Sequence, residues 1–401
     1  MIDTIVLTLN ETSFHIFEHV RFSPSTEGLY SSYYRLGGRA NLICKQNPTP
    51  AELAAGIYKP RLSATKRINK YRRSEITLKI EFSIPKLLFG NNFDELRDAD
   101  FPKVITRLQQ SLNDMGVQVT EPVLVNAPVS AIHFSKNIPL TDYTTPYTYL
   151  EQLAKINLNK RLDLNKTDFR NEGHSLKFRA NSFEIAFYDK MKDLQQAKTS
   201  DKRAEEKENA IQLNLFENVL TRKPFEVLRM EVRLNRRQKL KHTLKRVGVN
   251  ADPTFKSVFK KAIARKVLLY YMAEIESSYP AILLYNNKDH KDFISDLIIH
   301  NPGLGLRKAL QMLGARMLID EVGVREFREV TSTYGKSNWY RLNKEMLSLH
   351  YPQKGNSFAV IRTCLEQGKP LKLLDYRRKR TRNIAHRPHP RFLGATTSRT
   401  G

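Results

Sequence analysis

The sequence predicts an α+β protein. Its N-terminal domain has a curved, mainly antiparallel sheet covered by helices on one face, and an all-α C-terminal domain and a basic disordered tail follow. Three observations support this. Short segments of alternating apolar and polar residues recur before residue 247, a helical period replaces them after residue 253, and residues 376–401 are basic with little apolar periodicity. We therefore predict domains over residues 1–247 and 253–375 and a tail over 376–401.

Alternation identifies the strands in chain order. One begins in residues 2–9, and the clearest, residues 76–83 (ITLKIEFS), has all its apolar side chains on one face. Residues 129–135 (VSAIHFS), 182–190 (SFEIAFYDK) and 225–234 (FEVLRMEVRL) repeat the pattern. Because each segment has one apolar and one polar face, we expect a sheet buried on a single side.

Helical periodicity identifies the remaining elements. Helices are predicted over residues 101–115 and 147–158 and, as a charged segment, over 191–220. After residue 253 the predicted helices are 256–277, 293–299, 304–314, 324–331, 337–349 and 357–367, separated by glycines and a proline.

The charge of the chain indicates a polyanionic partner. Among 401 residues, 67 are Lys or Arg and 41 are Asp or Glu, which gives a net charge of +26. Basic surfaces bind nucleic acid by releasing the counterions that condense on phosphates. A solvated face explains any single basic cluster, and a ribosomal or architectural protein would have a similar charge. The candidate DNA contacts are Arg61, Lys66, Arg67, Arg229, Arg233, Arg236 and Arg237.

Several classes are excluded by what the sequence lacks. With Cys44 and Cys364 as the only cysteines, neither a disulfide framework nor a multi-cysteine zinc site can form. No uncharged apolar run reaches the about 18 residues of a membrane span, and the opening MIDTIVLTLNETSF does not have the pattern of a secretory signal. We expect a protein of a reducing bacterial or host cytoplasm without a membrane partner. The sequence contains no Walker-type phosphate loop, so it gives no indication of a nucleotide-driven motor.

The polar strand faces carry the candidate chemistry. If they share one surface, it displays Glu81, His133, Glu184, Tyr188, Lys190, Arg229, Glu231 and Arg233. Cross-strand ion pairs explain such charges singly. As a set they supply a phenol nucleophile at Tyr188 with a nearby cation, Lys190. Glu81, His133 and Glu231 supply oxygen and imidazole ligands that suit Mg²⁺ or Mn²⁺, and Arg229 and Arg233 could hold phosphates. This inventory fits transfer of a phosphodiester to tyrosine.

The chain resembles the filamentous-phage gene II/X family of rolling-circle replication initiators, which also occurs on plasmids and prophages. The resemblance rests on the opening MIDTIVLTL and on IEFSIPKLLFGNN, VSAIHFS, FEIAFYDK, FEVLRMEVRLNRRQKLK and GNSFAVIRTCLEQGKPLKLLDY, and it runs in order over residues 1–375. At position 133 the chain has histidine where the family pattern has aspartate.

The resemblance implies an enzyme that nicks one strand of double-stranded origin DNA. It would stay attached to the 5′ end through Tyr188 and later cut and rejoin the displaced single strand, working with a host helicase and polymerase. It also implies a role for Lys190 and places the family's acidic position at Glu231. The alternative is a non-catalytic, sequence-specific DNA-binding repressor or accessory protein. A tyrosine recombinase fits less well, because its tyrosine would belong to a helical catalytic domain.

Overall fold

A computed structural model describes residues 1–30, 41–49, 51–52, 55–68, 74–141, 144–156, 168–170, 174–196, 226–283, 289–351 and 358–372. The α+β class predicted from the sequence is confirmed: an antiparallel sheet with helices occupies the first part of the chain, and the later part is helical. No helix in the described ranges has both the length and the apolar character that crossing a membrane requires.

Nine strands form one antiparallel sheet. They are β1 (Ile2–Asn10), β3 (Asn41–Gln46), β4 (Arg61–Ile68), β5 (Ser74–Ser83), β7 (Val129–Leu140), β8 (Asp168–Arg170), β9 (Ser175–Arg179), β10 (Phe183–Asp189) and β11 (Glu226–Leu234). Their spatial order within the described chain is β3-β4-β5-β1-β7-β11-β10-β9-β8. Two short strands, β2 (His15–Ile16) and β6 (Val117–Gln118), pair separately.

The helices lie between and after the strands. The first group contains α1 (Ile84–Phe89), α2 (Phe101–Asp114), α3 (Glu121–Asn126), α4 (Pro146–Ala154), α5 (Lys190–Gln196), α6 (Arg237–Arg246), α7 (Phe255–Val258) and α8 (Lys261–Ser278). The second group contains α9 (His290–His300), α10 (Leu306–Thr333), α11 (Lys336–Ser348) and α12 (Ala359–Gln367).

One face of the sheet forms the main core. Alternation along β11 turns Leu228, Met230, Val232 and Leu234 to this apolar face, where α6, α8 and α12 pack against β7 and β11. The opposite face, called the polar face here, carries the alternate residues of the same strands. Strand alternation thus determines which residues are available for a site.

The two hydrophobic cores divide the chain at a different place from the predicted boundary at 247–253. Helices α8 and α12 belong to the same core as the sheet, whereas a second core joins residues of α9, α10 and α11, from Ile282 to Tyr351. The helical unit with its own core is therefore an insertion between α8 and α12. The start of this helical unit could not be predicted from the sequence, because the apolar residues of α8 recur with the same helical period as those of the helices after it.

Some predicted elements differ in detail. Gly314 lies inside α10 instead of ending a helix, and the break in that helix comes at Gly323, where φ is 81°. Strand β7 continues five residues past its predicted end to Leu140, and β3, β4, β8 and β9 were not predicted. The predicted tail over 376–401 and most of the predicted helix over 191–220 lie outside the described residues.

Candidate active site

The candidate site lies on the polar face where β7, β11 and β10 run side by side. In the register of these strands Arg229 faces Tyr188, Glu231 faces Ala186 and Arg233 faces both Glu184 and His133. Directly opposed residues in antiparallel strands point to the same side of a sheet. Pairing over three neighbouring strands therefore collects these polar side chains in one place.

Glu231 is the centre of the cluster. Its Oε2 accepts a hydrogen bond from the Tyr188 hydroxyl at 3.2 Å and another from Arg233 Nη2 at 3.1 Å. Its Oε1 lies 3.4 Å from His133 Nδ1. The Tyr188 ring reaches Glu231 along a diagonal of the sheet, and Ala186, directly opposite Glu231, leaves that diagonal open. The predicted proximity of Tyr188, Glu231 and His133 is therefore confirmed.

A second carboxylate extends the cluster toward the edge of the sheet. Glu184 accepts from Arg233 Nη1 at 2.9 Å, and Arg179 Nε of β9 lies 3.0 Å from the other Glu184 oxygen. The side chains of Arg233 and His133 remain 27% and 23% exposed, whereas the Glu231 side chain is only 2% exposed. Solvent and a ligand can thus reach the cluster from the side of Arg233 and His133.

The protonation states follow from burial and neighbouring charges. Burial raises the pKa of the Tyr188 phenol well above 10; Arg229 opposes this shift and Glu231 adds to it. Burial also acts to raise the pKa of Glu231, but Arg233, His133 and Arg229 together hold that pKa well below its usual range. At neutral pH the site therefore contains a neutral phenol that donates to an ionised carboxylate.

Lys190 lies beside the tyrosine but not on the strand face where the sequence placed it. Strand β10 ends at Asp189, whose carboxylate accepts hydrogen bonds from the backbone of Met191 and Lys192 and so starts α5. Lys190 is fully buried, with Nζ 5.9 Å from the centre of the Tyr188 ring and 3.4 Å from Asp193. Burial lowers the pKa of Lys190 to about 8, although Asp193 opposes the shift.

Arg229 differs from its predicted role as an exposed phosphate contact. Its side chain is 2% exposed and is enclosed by protein acceptors. It lies 3.0 Å from Asp3, and it donates to Ser135 Oγ at 3.0 Å and to the Asn92 carbonyl at 2.6 Å. We conclude that Arg229 ties β11 to β7, to β1 and to the loop after α1, and it lies directly opposite Tyr188 in the pairing of β11 with β10.

Glu81 lies on the polar face but away from the other predicted metal ligands. It is exposed on β5 and faces Val6 of β1 and Arg61 of β4. Two strand spacings separate β5 from β7 and three separate it from β11, or about 10 Å and 14 Å. No group of three His, Cys, Asp or Glu side chains placed to hold a metal ion occurs within the described ranges. The predicted set of Glu81, His133 and Glu231 is therefore wrong as a single site.

His133 and Glu231 alone do fit two neighbouring ligand positions. Adjacent ligands of an octahedral ion with bonds of about 2.1 Å are separated by about 3.0 Å. The distance of 3.4 Å between His133 Nδ1 and Glu231 Oε1 is close to that edge. Water and phosphate oxygens commonly complete the coordination of Mg²⁺.

The five predicted DNA contacts outside the cluster divide into three groups. Arg61 and Arg67 are exposed on the polar-face side of β4, and Arg236 and Arg237 are exposed where β11 leads into α6. Lys66 is 6% exposed and faces Ile76 on the apolar side, so its predicted role as a DNA contact is wrong. Successive residues of a strand point to opposite faces, so Lys66 points to the apolar face while Arg61 and Arg67 point to the polar face.

The sequence did not predict three participants, Arg179, Asp3 and Asp193, the last of which pairs with Lys190. Arg179 belongs to SLKFR (175–179), where alternation puts Lys177 and Arg179 on the face of Glu184, so this signal was present. Asp3 had no such signal. Regular alternation would place Asp3 with Ile5 on the apolar face, and only the register shift between Ile2 and Ile5 in the pairing of β1 with β7 lets it meet Arg229.

Comparison of the chain with protein-family models, with curated proteins and with solved structures finds no match.

Proposed function

We propose that this protein is a rolling-circle replication initiator that nicks one strand of origin DNA through Tyr188. The product would be a 5′-phosphotyrosine link, and the same site would later rejoin the displaced single strand. The observation that carries the proposal is the 3.2 Å hydrogen bond from the Tyr188 hydroxyl to Glu231 on a sheet face that is open beside Arg233 and His133.

The proposed step is a balanced transesterification. Tyr188 Oη forms a bond to phosphorus, the bond from phosphorus to the 3′ oxygen breaks, and the 3′ oxygen takes up a proton from water. Glu231 is placed to accept the phenolic proton. Because the free protein holds the phenol pKa above 10 and the Glu231 pKa below its usual range, this transfer is unfavourable without substrate. Activation therefore depends on the divalent cation that would arrive with the bound phosphate, because positive charge lowers the pKa of the phenol.

Mg²⁺ or Mn²⁺ is the proposed cofactor. His133 and Glu231 would hold it, with water and phosphate oxygens in the remaining positions. When bound, the ion would polarise the scissile phosphate and offset charge on the leaving oxygen. Arg233 would remain bound to Glu184 and present the exposed part of its guanidinium to a neighbouring phosphate.

The surrounding sheet would hold the DNA. Within the cluster, cations and carboxylates balance: Arg179, Arg229, Arg233 and Lys190 meet Asp3, Glu184, Asp193 and Glu231. Attraction for DNA must therefore come from outside the cluster, from exposed residues such as Arg61, Arg67, Arg236 and Arg237. Five strand spacings, about 24 Å, separate β4 from β10, so the polar face is wide enough to bind several nucleotides.

The test is the Tyr188→Phe variant, which removes one oxygen atom and keeps the ring. Supercoiled DNA of the replicon that encodes the protein, and a randomised single-stranded DNA pool, are incubated with Mg²⁺ or Mn²⁺ and analysed on denaturing gels. We expect covalent protein–DNA complexes with the wild type, none with the variant, and retained DNA binding in both. Tyr334→Phe, at a tyrosine that is 83% exposed on the helical unit, is the matched control. Equal complex formation by Tyr188→Phe would refute the assignment.

The alternative is a DNA-binding repressor or accessory protein that performs no cleavage. The balanced ion pairs around Glu231 and the raised phenol pKa favour it, since a purely structural cluster would have both features. It predicts sequence-specific DNA binding by the wild type without covalent complexes in either metal ion.

A further inference from the structure

The outward face of α10 carries an unusual row of exposed apolar side chains. Leu306, Leu310, Leu318 and Val322 are 64%, 51%, 44% and 38% exposed, and Met317 beside them is 48% exposed. Residues four apart are neighbours on a helix surface. A continuous apolar row of this kind, unlike scattered exposed leucines, marks an interaction surface.

Gly314 occupies the middle of this row. Glycine inside a helix is unfavourable relative to alanine, so its presence calls for a reason. A Cβ atom built at Gly314 meets nothing within 4 Å, and no contact within the described structure therefore requires the small residue. The notch it leaves between Leu310 and Leu318 would allow another helix to approach closely.

The row is symmetric about Gly314. Leu310 and Leu318 lie four residues before and after it, and Leu306 and Val322 lie eight residues before and after it. Because a step of four residues turns by about 40°, Leu310 and Leu318 lie close to the direction of Gly314, whereas Leu306 and Val322 lie about 80° to either side of it. Arg307 and Glu321, of opposite charge, lie seven residues to either side. A two-fold axis through an antiparallel pair of identical helices brings residues at equal offsets together. Such pairing would place leucine against leucine and arginine against glutamate.

We propose that a second copy of this chain docks on the row, with the two α10 helices antiparallel and the Gly314 residues at the two-fold axis. Each Arg307 then pairs with Glu321 of the other copy in the seam between the helices, because a separation of seven residues places both about 20° from the direction of Gly314. Leu306 and Val322 lie at the rim of the contact. From residue 306 to 322 the helix extends about 25 Å, and it is about 10 Å wide. This contact is small for a protein interface, so we expect a weak, reversible dimer.

The test uses charge reversal and mixing. The full chain is studied without DNA by sedimentation equilibrium over a concentration series, with the single variants Arg307→Glu and Glu321→Arg. Each variant would place like charges at both symmetric pairs, and we expect each to dimerise about tenfold more weakly than the wild type. In an equimolar mixture, one chain of each kind restores both pairs. We therefore expect the mixture to dimerise as the wild type does.

The mixture separates docking from a folding defect, because a destabilised helix would not be repaired by another chain. Leu310→Asp should also give a monomer with an unchanged thermal transition, since Leu310 is exposed. A wild type that remains monomeric at 200 µM, or a mixture no more associated than its two components, would overturn the proposal. A Leu310→Asp variant that remains a dimer would do the same.

Discussion

Replacing Lys190 by methionine should make the protein more stable. A fully buried lysine with a pKa of about 8 instead of 10.5 remains protonated at pH 7 at a cost in folding free energy. At about 1.36 kcal/mol per pH unit, that difference corresponds to about 3 kcal/mol. Methionine has a similar length and no charge, so we expect Lys190→Met to raise the free energy of unfolding at pH 7 by about 2–3 kcal/mol.

The pH dependence gives the sharper result. Between pH 8 and pH 10.5 the unfolded chain binds more protons at Lys190 than the folded one, so this residue makes stability rise with pH over that interval. The increase in the free energy of unfolding that Lys190→Met gives should be largest below pH 8 and should vanish near pH 10.5. Urea titrations at pH 7, 8, 9 and 10 measure it, with Lys79→Met, at an exposed residue of β5, as the control. An advantage that is absent at pH 7 or does not change with pH would contradict a destabilising buried charge at Lys190.

The remaining predictions concern the site and the DNA surface. Glu231→Gln should lower covalent complex formation by a factor of about 10²–10⁴, measured on denaturing gels, whereas Glu81→Gln should change it less than about twofold because Glu81 lies outside the cluster. His133→Ala should raise the concentration of Mg²⁺ needed for half-maximal complex formation, and an unchanged requirement would exclude it as a ligand. Arg67→Ala should weaken DNA binding and reduce the slope of the logarithm of the binding constant against the logarithm of the salt concentration by about 0.9. Lys66→Met should leave that slope unchanged. Fluorescence anisotropy at several salt concentrations measures both.

The strands of the site were predictable because their alternation is regular. In β10 and β11 the polar positions recur every second residue, and this was sufficient to bring Tyr188 and Glu231 to one face. Burial of that face was not predictable. Arg229 has the same sequence context as the partly exposed Arg233, and it is enclosed by Asp3, Ser135 and the loop after α1, all distant in sequence.

The order of the strands in the sheet and the core to which each helix belongs could not be predicted from local sequence patterns. Glu81 has the alternation of a site residue, but β1 and β7 separate its strand from β11. The order of strands in a sheet depends on long-range pairing, which single-segment periodicity does not encode. For the same reason α8 could not be assigned to the sheet core, because its apolar residues fit either of the two cores.

Identifying the residue that is bonded to DNA tests the proposed role of Tyr188 most directly. Covalent complexes formed with single-stranded DNA are digested with protease and nuclease, and the modified peptide is sequenced by mass spectrometry. We predict a nucleotide linked through its 5′ phosphate to Tyr188, within the peptide that spans β10. A link to any other residue, or cleaved DNA with no protein attached, would contradict it.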